Sequence, residues 1–145
     1  MDRNDLVLAA LASIPDAEYQ PVHVQKLFFL IDENCADDIG GRKFGFGPYD
    51  FGPYDKAVYS ALEELAERDF VRIRRHRSRY QTYDLTPVGL QKGEALLKKL
   101  PSDVRQYIQE VVNWLLRSDF DQIVQTIYKE YPEMKRNSVY RMNAE

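Results

Sequence analysis

Hydrophobic residues recur every three or four positions along most of the chain, and this spacing predicts helices. The helix over 21–34 is apolar around most of its circumference, which is typical of a helix at the centre of a small fold. The helix over 5–14 has one apolar face and is predicted to pack from the outside. The spacing predicts six helices in all, at 5–14, 21–34, 53–69, 86–100, 102–117 and 118–131.

Between the third and fourth helices the period changes to two, which predicts a β-hairpin over 71–85. Pairing Val71 with Leu85 and Ile73 with Tyr83 puts the apolar side chains on one face. The same register sets Arg72 opposite Asp84 on the polar face and leaves the tip at 77–79.

Three helices, a hairpin and three further helices predict a mainly α (α+β) fold. The order indicates a winged-helix-like core at 1–100, with a single two-stranded hairpin as its wing. The remaining helices form a C-terminal helical extension at 101–132, packed on the same domain, and 133–145 is a polar tail.

A tandem pentapeptide, Phe-Gly-Pro-Tyr-Asp, occupies 46–50 and 51–55. The alternation of Phe44 and Phe46 with glycines predicts a short strand or a turn over 44–46. Each Gly-Pro pair excludes a regular helix in this region. The third helix is predicted to begin with Pro53 in its first turn. Phe46 and Phe51 are expected to pack on the second helix. Tyr49 and Tyr54 are equally suited to packing and to recognition of a partner.

Composition is that of an ordinary globular domain, with 145 residues, of which 44% are hydrophobic and 30% charged. The single cysteine, Cys35, has no internal disulfide partner, which indicates a reducing, cytoplasmic compartment. The longest apolar run, 22–31, is interrupted by polar residues, so neither secretion nor membrane insertion is expected.

Charge is distributed unevenly. The segment 68–79 carries a local charge of +5 on a chain whose net charge is −3, which leaves −8 elsewhere. The predicted third helix, 55–69, carries −3. An acidic helix is repelled by phosphates, so the pattern favours protein binding, or DNA contacts made by the wing alone. In a third interpretation the wing arginines pair with the acids of that helix.

Residues suited to catalysis are scattered. His23, Cys35 and His76 lie on three different elements, without the spacing of a metal site or a nucleophile motif. The chain is therefore predicted not to be an enzyme, and no catalytic residue, cofactor or metal is assigned.

Three short motifs resemble the Panacea (SocA-like antitoxin) domain of small phage- and prophage-associated proteins. They are Val-Gln-Lys-Leu-Phe-Phe-Leu at 24–30, the two Phe-Gly-Pro-Tyr copies at 46–49 and 51–54, and Val58-Tyr59. The run 83–89 is similar to the strand-to-helix exit of winged-helix regulators. The Panacea resemblance, which spans about 6–100, implies a non-enzymatic antitoxin that binds and neutralises a partner toxin. The chain departs from the family in duplicating the Gly-Pro turn and in adding the helices from 102 to 131.

We therefore expect a protein partner, a toxin or a regulator, and no membrane association. The alternative is a winged-helix DNA-binding transcriptional regulator, a homodimer through its C-terminal helices. Residues expected to bind the partner are Tyr49, Tyr54, Asp55, Tyr59, Arg72 and Arg74; those expected to contact nucleic acid are Arg75, Arg77 and Arg79.

Overall fold

The computed structural model describes residues 1–77 and 80–140. Within these residues the chain is mainly helical, with six α-helices and two small two-stranded antiparallel sheets. Short 3-10 turns follow α2 and α6, at Ala36–Ile39 and Pro132–Lys135. The elements are α1 Arg3–Leu11, α2 Pro21–Cys35, β1 Gly47–Tyr49, β2 Gly52–Tyr54, α3 Ala57–Glu67, β3 Val71–Arg75, β4 Gln81–Leu85, α4 Pro87–Leu97, α5 Ser102–Arg117 and α6 Phe120–Glu130.

The core is built around α1 and α2. Helix α2 is buried along nearly its whole length, as its apolar circumference predicts. The prediction that α1 packs from the outside is wrong, because every residue from Leu6 to Leu11 is buried. Glycine explains the difference: a Cβ atom at Gly93 of α4 would lie 2.5 Å from the carbonyl oxygen of Leu8. Helix α4 therefore covers α1 at a distance that only glycine permits.

The tandem pentapeptide folds into a hairpin of its own, so the prediction of a single hairpin is wrong. The first copy supplies β1 and the second supplies β2, with Pro48 opposite Pro53. Gly52 has a φ of +102°, which favours glycine. Helix α3 starts at Ala57, beyond the predicted Pro53, because Pro53 lies in β2. The Asp55 side chain accepts the Ala57 N–H at 2.9 Å in the turn between the two elements.

The second hairpin has the predicted register. Val71 pairs with Leu85, Ile73 with Tyr83 and Arg72 with Asp84, as the alternation of apolar side chains requires. An isolated bridge extends this sheet: Tyr19, in the link between α1 and α2, exchanges two backbone hydrogen bonds of 2.8 Å with Tyr83. The link between the first two helices is thereby fixed to β4.

Side-chain caps fix the starts of two later helices. Thr86 caps α4, accepting the Gly89 N–H at 3.0 Å, at the predicted start of this helix. Helix α6 is capped by Asp119 in a reciprocal box with Gln122. Ser118, at the predicted start of this helix, instead donates its hydroxyl to the Trp114 carbonyl.

The described part of the polar tail lies against the tandem hairpin. Asn137 donates its side-chain amide to the Pro48 carbonyl at 2.9 Å, and the Val139 N–H bonds the Asp50 carbonyl at 2.9 Å. Residues 137–139 thus bond the carbonyls of the tandem hairpin. No helix in the described part of the chain has both the length and the apolar character needed to cross a membrane.

Candidate functional site

An aromatic groove of about 340 Å³ opens beside the tandem hairpin, and we take it as the candidate site. It lies where the hairpin meets the starts of α2, α3 and α6. Its volume is at the lower end of the range of ligand pockets, about 300–1,000 Å³. Five aromatic rings line it, together with polar and apolar residues of α2: Tyr49, Phe51, Tyr54, Tyr59 and Phe120, with Val22, Gln25 and Lys26.

Three tyrosines predicted to bind a partner lie together in this groove. The ring centroids of Tyr49 and Tyr54 are 5.1 Å apart, and those of Tyr54 and Tyr59 are 5.9 Å apart. Tyr59 in turn stacks on Tyr83 of β4 at 6.3 Å. Burial raises the pKa of Tyr59 to about 12, so its hydroxyl stays protonated at neutral pH. The four rings form one packed row from the tandem hairpin to the second hairpin.

Phe51 and Phe120 form a second aromatic contact in the groove. Their centroids are 5.3 Å apart, and 43% of Phe51 and 41% of Phe120 are exposed. The prediction that Phe51 packs on α2 is wrong, because the turn points it towards α6. For Phe46 the same prediction is confirmed, since its ring lies 5.7 Å from Phe29. Sequence analysis missed Phe120 as a site residue; the only signal was an apolar residue directly after a helix cap.

Lys26, on α2, lies against the tandem hairpin and is 4% exposed. Its Nζ donates to the Pro53 carbonyl at 3.2 Å. Burial lowers the pKa of Lys26 to about 8, since removing the charged form from water is unfavourable. A Cβ atom at Gly52 would lie 3.7 Å from Lys26 Cε, so the hairpin backbone covers the lysine stem closely.

Asp55, predicted to bind a partner, has both carboxylate oxygens in intramolecular bonds. Oδ2 accepts the Gly45 N–H at 2.8 Å and Oδ1 accepts the Ala57 N–H at 2.9 Å. Its backbone N–H and carbonyl bond the Gln25 side chain. Asp55 therefore joins the hairpin, α2 and α3, and so positions the tyrosines of the groove.

The predicted arginines fall into two groups. Arg72 and Arg74 both bond Asp84, at 2.9 and 3.1 Å, and Arg74 lies 3.8 Å from Glu18. The proposed pairing of the wing with acids of α3 is thus wrong for these two, because register places Asp84 on the same face of the sheet. Arg75 and Arg77 are exposed and have no ion pair with any described residue. Arg79 lies outside the described residues.

The exposed face of α3 is acidic. Glu63, Glu64 and Glu67 all face solvent on this helix. They lie beyond Tyr59, one to two turns from the groove. A surface of this charge disfavours contact with the phosphate backbone of a nucleic acid.

The residues considered for catalysis have separate structural surroundings. His23 Nδ1 accepts the Gln20 N–H at 2.9 Å, at the start of α2. His76 bonds Thr82 and stacks on Tyr80. Cys35 is buried, and burial raises the pKa of its thiol to about 11, which disfavours the nucleophilic thiolate. No set of three His, Cys, Asp or Glu side chains in 1–77 and 80–140 is grouped as metal ligands would be.

What the groove offers is apolar contact area with one buried amine, an arrangement suited to binding. Exposed tyrosine and phenylalanine rings provide much contact area at small cost in conformational entropy. Comparison of the chain with protein-family models, with curated proteins and with solved structures gave no match.

Proposed function

We propose that this chain is a non-enzymatic binding protein of the antitoxin type, which recognises a partner protein through the aromatic groove. The observation that carries the proposal is the cluster of Tyr49, Phe51 and Phe120, which are 54%, 43% and 41% exposed, around one groove. The chain buries a large apolar core elsewhere, so these rings are not needed to fill it. Clustered exposed aromatic side chains are typical of the central part of a protein interface.

The resemblance to the Panacea domain supports the same conclusion. Residues from all three of its motifs line the groove: Gln25 and Lys26 from the first, Tyr49 and Tyr54 from the second, and Tyr59 from the third. A toxin is the kind of partner that this resemblance implies.

The core order supports a winged-helix-like scaffold for this function. Helix α1 is followed by the isolated bridge at Tyr19, then by α2, the tandem hairpin β1–β2, α3 and the hairpin β3–β4. Apart from the tandem hairpin, this order is similar to that of a winged helix, in which β3–β4 would be the wing and Tyr19 would stand in the strand that pairs with it. The aromatic groove lies at the start of the third helix, beside that scaffold.

Affinity capture from native cells tests the proposal. We expect one protein to co-purify with the wild-type chain and to be lost from the double variant Tyr49→Ala/Phe51→Ala. Val88→Ala is the matched control, because Val88 is 57% exposed but lies on α4, away from the groove. The captured protein should arrest growth when expressed alone and not when expressed with this chain. Capture that is equal for all three forms would contradict the proposal.

DNA binding by the wing is the second candidate, favoured by the exposed arginines Arg75 and Arg77. Acting as a homodimer through α5 and α6, the chain would place two wings on one duplex. Fluorescence anisotropy on the upstream DNA of its own gene should then show salt-dependent binding that Arg75→Glu/Arg77→Glu removes, with a dimer mass in sedimentation. We place this function second because the acidic face of α3 disfavours contact with the phosphates of DNA.

A further inference from the structure

We infer that the aromatic groove binds the C-terminal residue of the partner protein, with its apolar side chain among the rings and its free carboxylate on Lys26. This inference rests on the proposed function and adds the chemistry of the segment that is recognised.

The amine of Lys26 has hydrogen-bond donors that no described residue accepts. An ammonium group has three N–H donors, and the described residues take one of them, through the Pro53 carbonyl at 3.2 Å. No carboxylate oxygen of a described residue lies within 4.0 Å of Nζ. A buried charge without hydrogen-bonded partners is unfavourable, so an anionic acceptor in the groove would satisfy it.

The described residues that line the groove carry few charges. Asp50 is the one carboxylate among them, and it is exposed. The nearby Asp55 carboxylate is occupied by the N–H groups of Gly45 and Ala57. Among the described residues Lys26 is thus the one cation that lines the groove, and no carboxylate of these residues pairs with it.

The volume of the groove limits the size of what it can hold. About 340 Å³ has room for one large residue and little more. A chain end carries its apolar side chain and its carboxylate on the same residue, so it is the smallest peptide unit that supplies both. Capture of a C-terminal carboxylate is an established mode of peptide recognition. An internal acidic residue would need a second side chain to reach the rings.

Two small probes test the chemistry directly. We expect N-acetyl-phenylalanine, which has a free carboxylate, to shift the NMR signals of groove residues and to bind about tenfold more tightly than N-acetyl-phenylalaninamide. In Lys26→Met, which keeps the length and apolar stem of the side chain, this preference should disappear. The same preference in Lys26→Met, or equal binding of the two probes to the wild-type chain, would overturn the inference.

A third probe separates a chain end from an internal acid. The dipeptide N-acetyl-phenylalanyl-glutamate with an amidated end carries only a side-chain carboxylate, and we expect it to bind no better than the neutral amide. Tighter binding of this dipeptide that depends on Lys26 would mean that the groove recognises an internal acidic residue and not a chain end, and it would overturn the inference. As an independent readout, the pKa of Lys26, followed through its 13Cε signal, should rise with N-acetyl-phenylalanine and not with the amide.

The captured partner separates this inference from the proposed function. Adding one glycine to the C-terminus of the partner should weaken capture by the wild-type chain. If capture depends on Tyr49 and Phe51 but is indifferent to Lys26→Met and to the added glycine, the proposed function stands and the inference fails. If no partner is captured, the proposed function itself fails.

Discussion

The side chain of Gln25 closes a two-bond ring with the backbone of Asp55. Gln25 Oε1 accepts the Asp55 N–H at 2.9 Å, and Gln25 Nε2 donates to the Asp55 carbonyl at 3.0 Å. Gln25 is buried on α2, and Asp55 connects the tandem hairpin to α3. The pair therefore fixes the distance between the elements that carry the groove tyrosines.

Gln25→Ala should destabilise the fold, because it removes both bonds and leaves the half-buried Asp55 N–H without a partner, while the Asp55 carbonyl keeps the Val58 N–H at 3.1 Å. We expect a loss of about 2 kcal/mol in the free energy of unfolding, measured by urea denaturation. Gln91→Ala is the control, since Gln91 is exposed on α4 and should change stability by less than about 0.5 kcal/mol. Equal stability of the two variants would show that the ring contributes nothing.

Gly93→Ala should also destabilise the fold, although alanine favours a helix by about 1 kcal/mol over glycine. The new Cβ would lie 2.5 Å from the Leu8 carbonyl oxygen and 2.7 Å from the Ala12 Cβ, so α1 and α4 must separate. Overpacking of this kind costs about 1–3 kcal/mol, which outweighs the gain. Gly45→Ala is the control, because nothing lies within 4 Å of its added Cβ. A higher melting temperature for Gly93→Ala would refute the close approach.

Asp84→Asn should increase the affinity of the chain for DNA at low salt. The carboxylate holds Arg72 and Arg74 at 2.9 and 3.1 Å, and its loss frees both guanidinium groups for phosphates. Glu64→Gln is the control: it changes the net charge equally, on the exposed face of α3, without releasing a wing arginine. Anisotropy with a random duplex should show a larger gain, and a steeper salt dependence, for Asp84→Asn. Equal gains would mean that only net charge matters.

Acid should weaken the fold through His23. Burial lowers the pKa of this imidazole below its usual 6.5, so the unfolded chain takes up a proton first as the pH falls. The contribution of neutral His23 to the free energy of unfolding is complete above about pH 6.5. It is lost as the pH falls from there towards the pKa of His23 in the folded chain.

His23→Asn keeps an acceptor for the Gln20 N–H and cannot titrate, so its unfolding free energy should fall less between pH 7.5 and pH 5. Urea denaturation at the two pH values measures the difference. Gln91→Ala, at an exposed position on α4, removes no titratable group, so it is the control and should keep the wild-type dependence. Parallel pH profiles for His23→Asn and wild type would exclude His23 as the cause.

The spacing of apolar side chains along the sequence predicted much of the fold. The register of β3 and β4 follows from the alternation of Val71, Ile73, Tyr83 and Leu85, and the start of α4 follows from Thr86 as its cap. The tandem hairpin was missed because its Gly-Pro pairs suit a turn as well as a strand. The Phe51–Phe120 contact could not be predicted, because it depends on how α6 packs against the tandem hairpin and no local spacing encodes that. The tyrosines could be named in advance; their common groove could not.

The pairing of Pro48 with Pro53 determines what kind of contact the tandem hairpin can make. Directly opposed residues in an antiparallel ladder point their N–H groups either at each other or outward, and proline has none. Because proline has no N–H, this pair can only be one whose polar groups point outward, and the outward carbonyls of Pro48 and Pro53 already accept from Asn137 and Lys26. A foreign strand would find no backbone donor at either position. Selectivity must then come from side chains, through the shape of the aromatic rings and the charge of Lys26, and the missing donors also disfavour edge-to-edge aggregation.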